Sequence, residues 1–103
     1  MVSIIYSTMG SVEEARKIAR ILVEERLVAC VNIIPKIESI YRWQGKIEED
    51  NECVLLAKTT DKNIDKAIQR IKKLHSYELP DIVSISISHG FKEYLDWVKD
   101  EVK

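Results

Sequence analysis

The side chains that could carry chemistry are few and fall in two stretches. In the run LHSYELPD, His75 is followed at short range by Tyr77 and Asp81. Imidazole is the commonest metal-binding side chain and titrates near neutrality, so His75 could be a ligand or an acid–base group in a cleft between subunits. Equally, it could be a helix C-terminal histidine packed beneath a loop, where the helix dipole favours its cationic form. His89, beside Gly90, reads as a turn residue. In the second stretch, Tyr41 and Trp43 offer aromatic surface for a subunit contact or a small-molecule platform. Lys58 closes an apolar run, where it would be costly to bury unpaired, and so calls for a carboxylate or a ligand. Between them lie Glu48, Glu49, Asp50 and Glu52. They read as a solvated strand tip, or as a weak and poorly selective cation patch, because a hard-cation site needs ligands converging from several directions.

Other chemistries lack their parts. The three glycines fall in no G-x-x-x-x-G-K or G-x-G-x-x-G frame, and no nucleophile elbow is present. An enzyme built on His75 would have no evident nucleophile or second catalytic group, so a non-enzymatic role is expected. Basic and acidic residues number 16 and 17, for a net charge of -1, which gives no electrostatic footprint for nucleic acid. No apolar run approaches the roughly 18 residues that span a bilayer, and Met1 to Ser11 carry no basic leader or cleavage site. No membrane partner and a cytoplasmic location are therefore expected.

The elements that must position these side chains centre on Arg26 to Thr60. Two β-prone runs meet at Gln44-Gly45, a two-residue hairpin signal, and are longer than ordinary strands of about 5 or 6 residues. Val28 to Ile34 and Cys53 to Ala57 are nearly continuous apolar runs, as expected of strands buried on both faces. Pro35 cannot donate to a ladder and marks a bulge or an edge. In this register Cys30 faces Thr59 and Cys53 faces Lys36, which separates the thiols by roughly 20 Å, so both are expected to be buried free thiols. Upstream, Val2 to Tyr6 reads as a strand. Ser11 and Glu14 then form a capping box for a helix from Val12 to Arg26, with Ala15, Ile18, Ala19 and Leu22 on one face. Downstream, Thr60 or Asp61 can cap a helix carrying Ile64, Ala67, Ile68, Ile71 and Leu74. From Ile82 to Ser88, Val83, Ile85 and Ile87 alternate with serines, predicting a strand whose branched residues face the core. Phe91, Tyr94, Leu95, Val98 and Val102 predict a last helix.

The order is that of an α+β, ferredoxin-like βαββαβ sandwich with an extended hairpin and an added C-terminal helix, in a single domain over residues 1–103. Right-handed crossovers place the first and third strands centrally, with both long helices on one face. The second strand is then a long apolar edge and the other sheet face is bare, so a homo-oligomer with cyclic closure is expected.

Three segments carry a family resemblance: RLVACVNIIPKIESIYRWQGKIEED, LLAKTT and LHSYELPDIVSISISHGFKEYLDWV. Within them stand Ala29-Cys30-Val31-Asn32 before Pro35, Tyr41-x-Trp43-x-Gly45-Lys46, Lys58-Thr59 and His75-x-Tyr77-x-x-Pro80. Over essentially its whole length the chain resembles CutA, the divalent-cation tolerance proteins. The resemblance implies a homotrimer similar to the PII signal-transduction proteins, and a link to tolerance of copper and other divalent cations. Some bacterial members are described as binding copper through a cysteine after the first strand and two adjacent histidines. The matching positions here are Ser7, Leu74 and His75, of which only His75 keeps a metal-binding side chain. Two functions follow as expectations. One is a trimer that weakly binds or senses a divalent metal, copper or zinc, with His75 and nearby acids as ligands. The other is a PII-like module in which Trp43, Lys58, His75 and Tyr77 line an inter-subunit cleft for a small anionic metabolite.

Overall fold

The structure, a computed structural model, describes residues 1–103. Its elements are β1 (Val2–Met9), α1 (Val12–Glu24), β2 (Cys30–Trp43), β3 (Lys46–Thr60), α2 (Ile64–Leu74), β4 (Ile82–Ser86) and α3 (Lys92–Glu101), with a 3-10 turn at Asp61–Asn63. The four strands form one antiparallel sheet in the order β2-β3-β1-β4, as the crossover rule predicts. No helix is long and apolar enough to cross a membrane.

One face of the sheet is sealed by α1 and α2. Ile5 and Met9 of β1, with Cys53, Leu55 and Ala57 of β3, pack against Ala15, Ile18 and Leu22 of α1 and Ala67 and Ile71 of α2. Each helix contributes the stripe its periodicity predicted. The helix caps differ from expectation. Ser11 Oγ accepts from the Glu14 N–H at 3.1 Å, but the Glu14 carboxylate does not return the bond and instead reaches Ser76. Neither Thr60 nor Asp61 caps α2 through its side chain; Asp61 accepts from the Ser3 hydroxyl at 2.7 Å. Arg26 ends α1 in the left-handed region at φ 58, and its guanidinium donates to the carbonyls of Asp100 and Glu101 at the end of α3. One arginine thus terminates one helix and satisfies the free carbonyls of another.

Gln44 and Gly45 turn the hairpin with φ 49 and 81, the two positive values that a type I′ turn demands. Near the turn Trp43 pairs with Lys46 and Ile37 with Glu52, as expected; the ladder then slips between Ile34 and Ile37, at Pro35. Beyond this bulge Cys30 pairs with Lys58 rather than Thr59. Both thiols are free, but only Cys53 is buried; Cys30 is half-buried and hydrogen-bonded to the Tyr94 hydroxyl at 3.3 Å.

The largest departure is β4. Ser84 pairs with Ile5 and Ile82 with Ser7, so these lie on the helix side. Val83 and Ile85 pair with Tyr6 and Ile4 and turn to the opposite face, where they are 49% and 55% exposed. The alternation was legible, but its apolar side serves the face that the chain does not itself cover. At one end of that face α3 lies across the sheet, with Val98 packed on Val2 and Ala29.

Ser7 is fully buried, and its hydroxyl is the one buried side-chain polar atom without a hydrogen-bond partner. At matched protein concentration, Ser7→Ala is expected to leave unfolding free energy unchanged or raise it by up to about 1 kcal/mol, whereas Ser3→Ala, which strips a partner from Asp61, lowers it by about 1–2 kcal/mol. Equal losses in chemical denaturation would contradict this difference.

Candidate functional site

The loop from His75 to Asp81 is held down from both sides. Glu14, in the first turn of α1, accepts from the Ser76 N–H at 2.8 Å and from the Ser76 hydroxyl at 2.9 Å. His75 follows α2, and its side chain is fully buried. The Tyr77 N–H donates to Nδ1 at 3.1 Å, which makes that nitrogen the acceptor. Nε2 therefore carries the proton and donates to the Thr8 carbonyl at 2.7 Å. Both ring nitrogens are used by the fold, and neither offers a lone pair to a metal.

The copper ligand set implied by the resemblance is thus not assembled. Ser7 brings a hydroxyl, Leu74 nothing, and His75 is engaged in holding the loop to β1. Nor does any group of three or more His, Cys, Asp or Glu side chains lie together in a way that could hold a metal ion. In this structure His75 is a buried histidine with both ring nitrogens hydrogen-bonded within the fold, the other possibility open in the sequence.

The four cleft candidates divide. Trp43 and Tyr77 line one cleft of about 770 Å³ between the outer half of the β2–β3 hairpin and the loop. Lys58 and His75 do not line it. Lys58 stands on the ladder beside Cys30 and donates to Asn32 on the neighbouring strand, so its partner is an amide rather than the expected carboxylate or ligand. With Lys58 gone, the cleft has no cation for an anionic metabolite. Sequence reasoning missed Tyr6, Glu38, Asp50 and Asp81 as lining residues, since they come from three strands and a loop that only the tertiary fold brings together.

Hydrogen bonds tie the cleft's phenols to its acids. The Tyr77 hydroxyl donates to Glu52 at 2.7 Å, and the Tyr41 hydroxyl donates to Asp50 across the hairpin. The bond to Asp50 is the main cause that pushes the Tyr41 phenol up to about 12. Tyr77 is also raised, first by burial and then by its bond to Glu52.

Residues 3–101 match the family described as CutA1 divalent ion tolerance protein. The divalent-cation tolerance protein CutA of Thermus thermophilus is 51% identical over 97% of both chains. A solved structure from the same organism superposes with a TM-score of 0.97, at 50% identity and full coverage of both chains. The structure of the periplasmic divalent cation tolerance protein CutA of Archaeoglobus fulgidus gives 0.96, at 42% identity and full coverage of both chains. The chloroplastic protein CutA of Arabidopsis thaliana is 35% identical over 97% of this chain, which spans 55% of that relative's length. These relatives overturn the expected cytoplasmic location: one is named chloroplastic and another periplasmic, so this fold does not go with that compartment alone.

His75→Ala would leave the Thr8 carbonyl and the Tyr77 N–H without their partners and is expected to lower unfolding free energy by roughly 2–4 kcal/mol, a loss that denaturant titration would expose or refute. The tyrosines predict alkaline sensitivity. Their folded pKa values lie above the unfolded value near 10, so their contribution is complete below about pH 10 and is lost as pH rises. For Tyr41 the phenol of the folded protein ionises near pH 12, where that loss is complete. A phenolate absorbance titration in which Tyr41→Phe removes a component near pH 10 instead would contradict this assignment.

Proposed function

Because this chain belongs to the CutA divalent-cation tolerance family, we propose that it works as a non-enzymatic homotrimer that binds divalent cations, copper or zinc, weakly and through exposed carboxylates rather than through His75. The observation that carries the assembly is the uncovered sheet face. Val83 and Ile85 stand exposed on it, Ile34 is 42% exposed on the edge strand β2, and neither α1 nor α2 reaches that side. Branched apolar residues at alternate positions have no reason to face water, whereas three copies closing in a ring would bury both free edges. The carboxylates left for a cation are those of the hairpin, Glu48, Glu49, Asp50 and Glu52, and their spacing along a strand favours low affinity. A second use of the same molecule is supported by the cleft, whose size suits a small metabolite.

Calorimetric titration of copper and zinc into metal-stripped wild type and His75→Ala, at matched oligomeric state, tests the cation assignment. Weak binding that survives the substitution is expected. Loss of binding in His75→Ala would make the histidine a ligand after all, and no binding by either protein would remove the cation role. For the assembly, sedimentation should show wild type as a trimer and Ile85→Lys as a monomer with a melting temperature lowered and dependent on concentration. A trimer that persists unchanged in Ile85→Lys would place the contact elsewhere.

A further inference from the structure

The base of the loop holds one titratable group that the cation assignment does not use. The two ring nitrogens of the buried His75 fasten the loop in different ways. Nε2 donates to the Thr8 carbonyl at 2.7 Å, a bond open to the neutral ring and to the imidazolium alike. Nδ1 accepts from the Tyr77 N–H at 3.1 Å, and only the neutral ring can do so. A proton on Nδ1 would set a donor against a donor. The Glu14 carboxylate stands 3.7 Å from the same nitrogen, with its side chain 17% exposed. It accepts from the Ser76 N–H at Oε2 and from the Ser76 hydroxyl at Oε1, and a carboxylate with about four lone-pair sites has room for a third donor. Nδ1 therefore has two alternative partners, one for each charge state of the ring.

The other charged and titratable groups nearby offer no such exchange. From β3, Glu52 takes the Tyr77 hydroxyl, and the Cys53 thiol donates to the Met9 and Ser11 carbonyls. Burial first, and then the charge of Glu14, holds that thiol protonated. β1 contributes the Thr8 carbonyl. Lys72 and Lys73 in the last turn of α2, and Glu78 and Asp81 in the loop, are exposed. Glu14 is the one carboxylate paired with the ring.

We infer that His75 and Glu14 form a pH-sensitive latch on residues 77–81. In the neutral state the ring pins the loop through the Tyr77 N–H. On acidification Nδ1 takes one proton from solvent and gives its hydrogen bond to Glu14, so the Tyr77 N–H loses its acceptor and the loop beyond Ser76 loosens. The bonds to Thr8 and Ser76 survive and keep the base of the loop in place. Pairing with Glu14 meets the condition under which a buried charge is tolerated. Neither His75 nor Glu14 belongs to the hairpin carboxylates assigned to cations, nor to the sheet face and β2 edge assigned to neighbouring copies, so the latch is complete within one chain.

Amide hydrogen exchange followed by nuclear magnetic resonance on the assembled full chain tests the latch, between about pH 8 and about pH 5, the window in which an imidazole charges. After correction for the intrinsic pH dependence of exchange, protection of the Tyr77 amide is expected to fall about tenfold or more as the His75 ring nitrogens report the gain of a proton. The amide of Leu55, in the core, should keep its protection throughout. Glu14→Gln leaves an oxygen for Ser76 but removes the charge that receives the imidazolium, so the fall should move to lower pH. His75→Gln should abolish it, and where that variant does not fold the Glu14→Gln comparison decides alone. Protection of Tyr77 that is constant across the window, that falls together with Leu55, or that falls at the same pH in Glu14→Gln would overturn the latch.

Discussion

A four-stranded sheet presents two faces, and in this molecule the two long helices cover one of them. α1 and α2 bury Ile5, Met9, Leu55 and Ala57 from the helix side, and that contact forms the main core. The short α3 covers only an end of the other side, with Val98 over Val2 and Ala29. The remaining surface of that face is lined with branched residues. Burial of apolar area is the dominant favourable term in folding and association, so a surface of this kind gains by meeting another chain. The exposed Val83 and Ile85 belong to this uncovered side, and the long edge of β2 is likewise left unpaired.

The loop before β4 shows how a conspicuous residue can be spent on structure. His75 lies where a helix ends and a strand must begin, and it bridges Thr8 of β1 and the backbone of Tyr77. Glu14 clamps the next residue from α1. Together they fix a segment that would otherwise have few partners for its backbone, and the tilted contact of the His75 and Tyr77 rings, 4.7 Å apart, sets where Tyr77 stands. Tyr77 then reaches Glu52 on β3 and lines the cleft. The same histidine that looked like a ligand is therefore what places the aromatic side chain of the site.

Electrostatics limit what the hairpin region can hold. Carboxylates strung along a strand and across a loop are poor ligands for a compact ion, which needs several oxygens within one coordination sphere. Lys58, the one basic candidate, is held by Asn32 on the ladder and contributes nothing to that field.

Local signals in the chain determined most of the architecture. The 3.6-residue stripes of α1 and α2, the Gln44-Gly45 turn with its two positive φ values, and Pro35 as the site of the bulge each act through neighbouring residues, so they could be read in order along the sequence. Strand order followed as well, because crossover handedness is a general property of twisted sheets. Alternation in β4 was visible too, but a period of two says only that the sides differ, and the register with Ile4 and Ile5 decided which side met the helices. The tertiary structure alone decided the tautomer and burial of His75, the separation of Lys58 from Trp43, and the acidic lining of the cleft. Each of these depends on atoms brought together from distant parts of the chain, where spacing along the sequence carries no distance information.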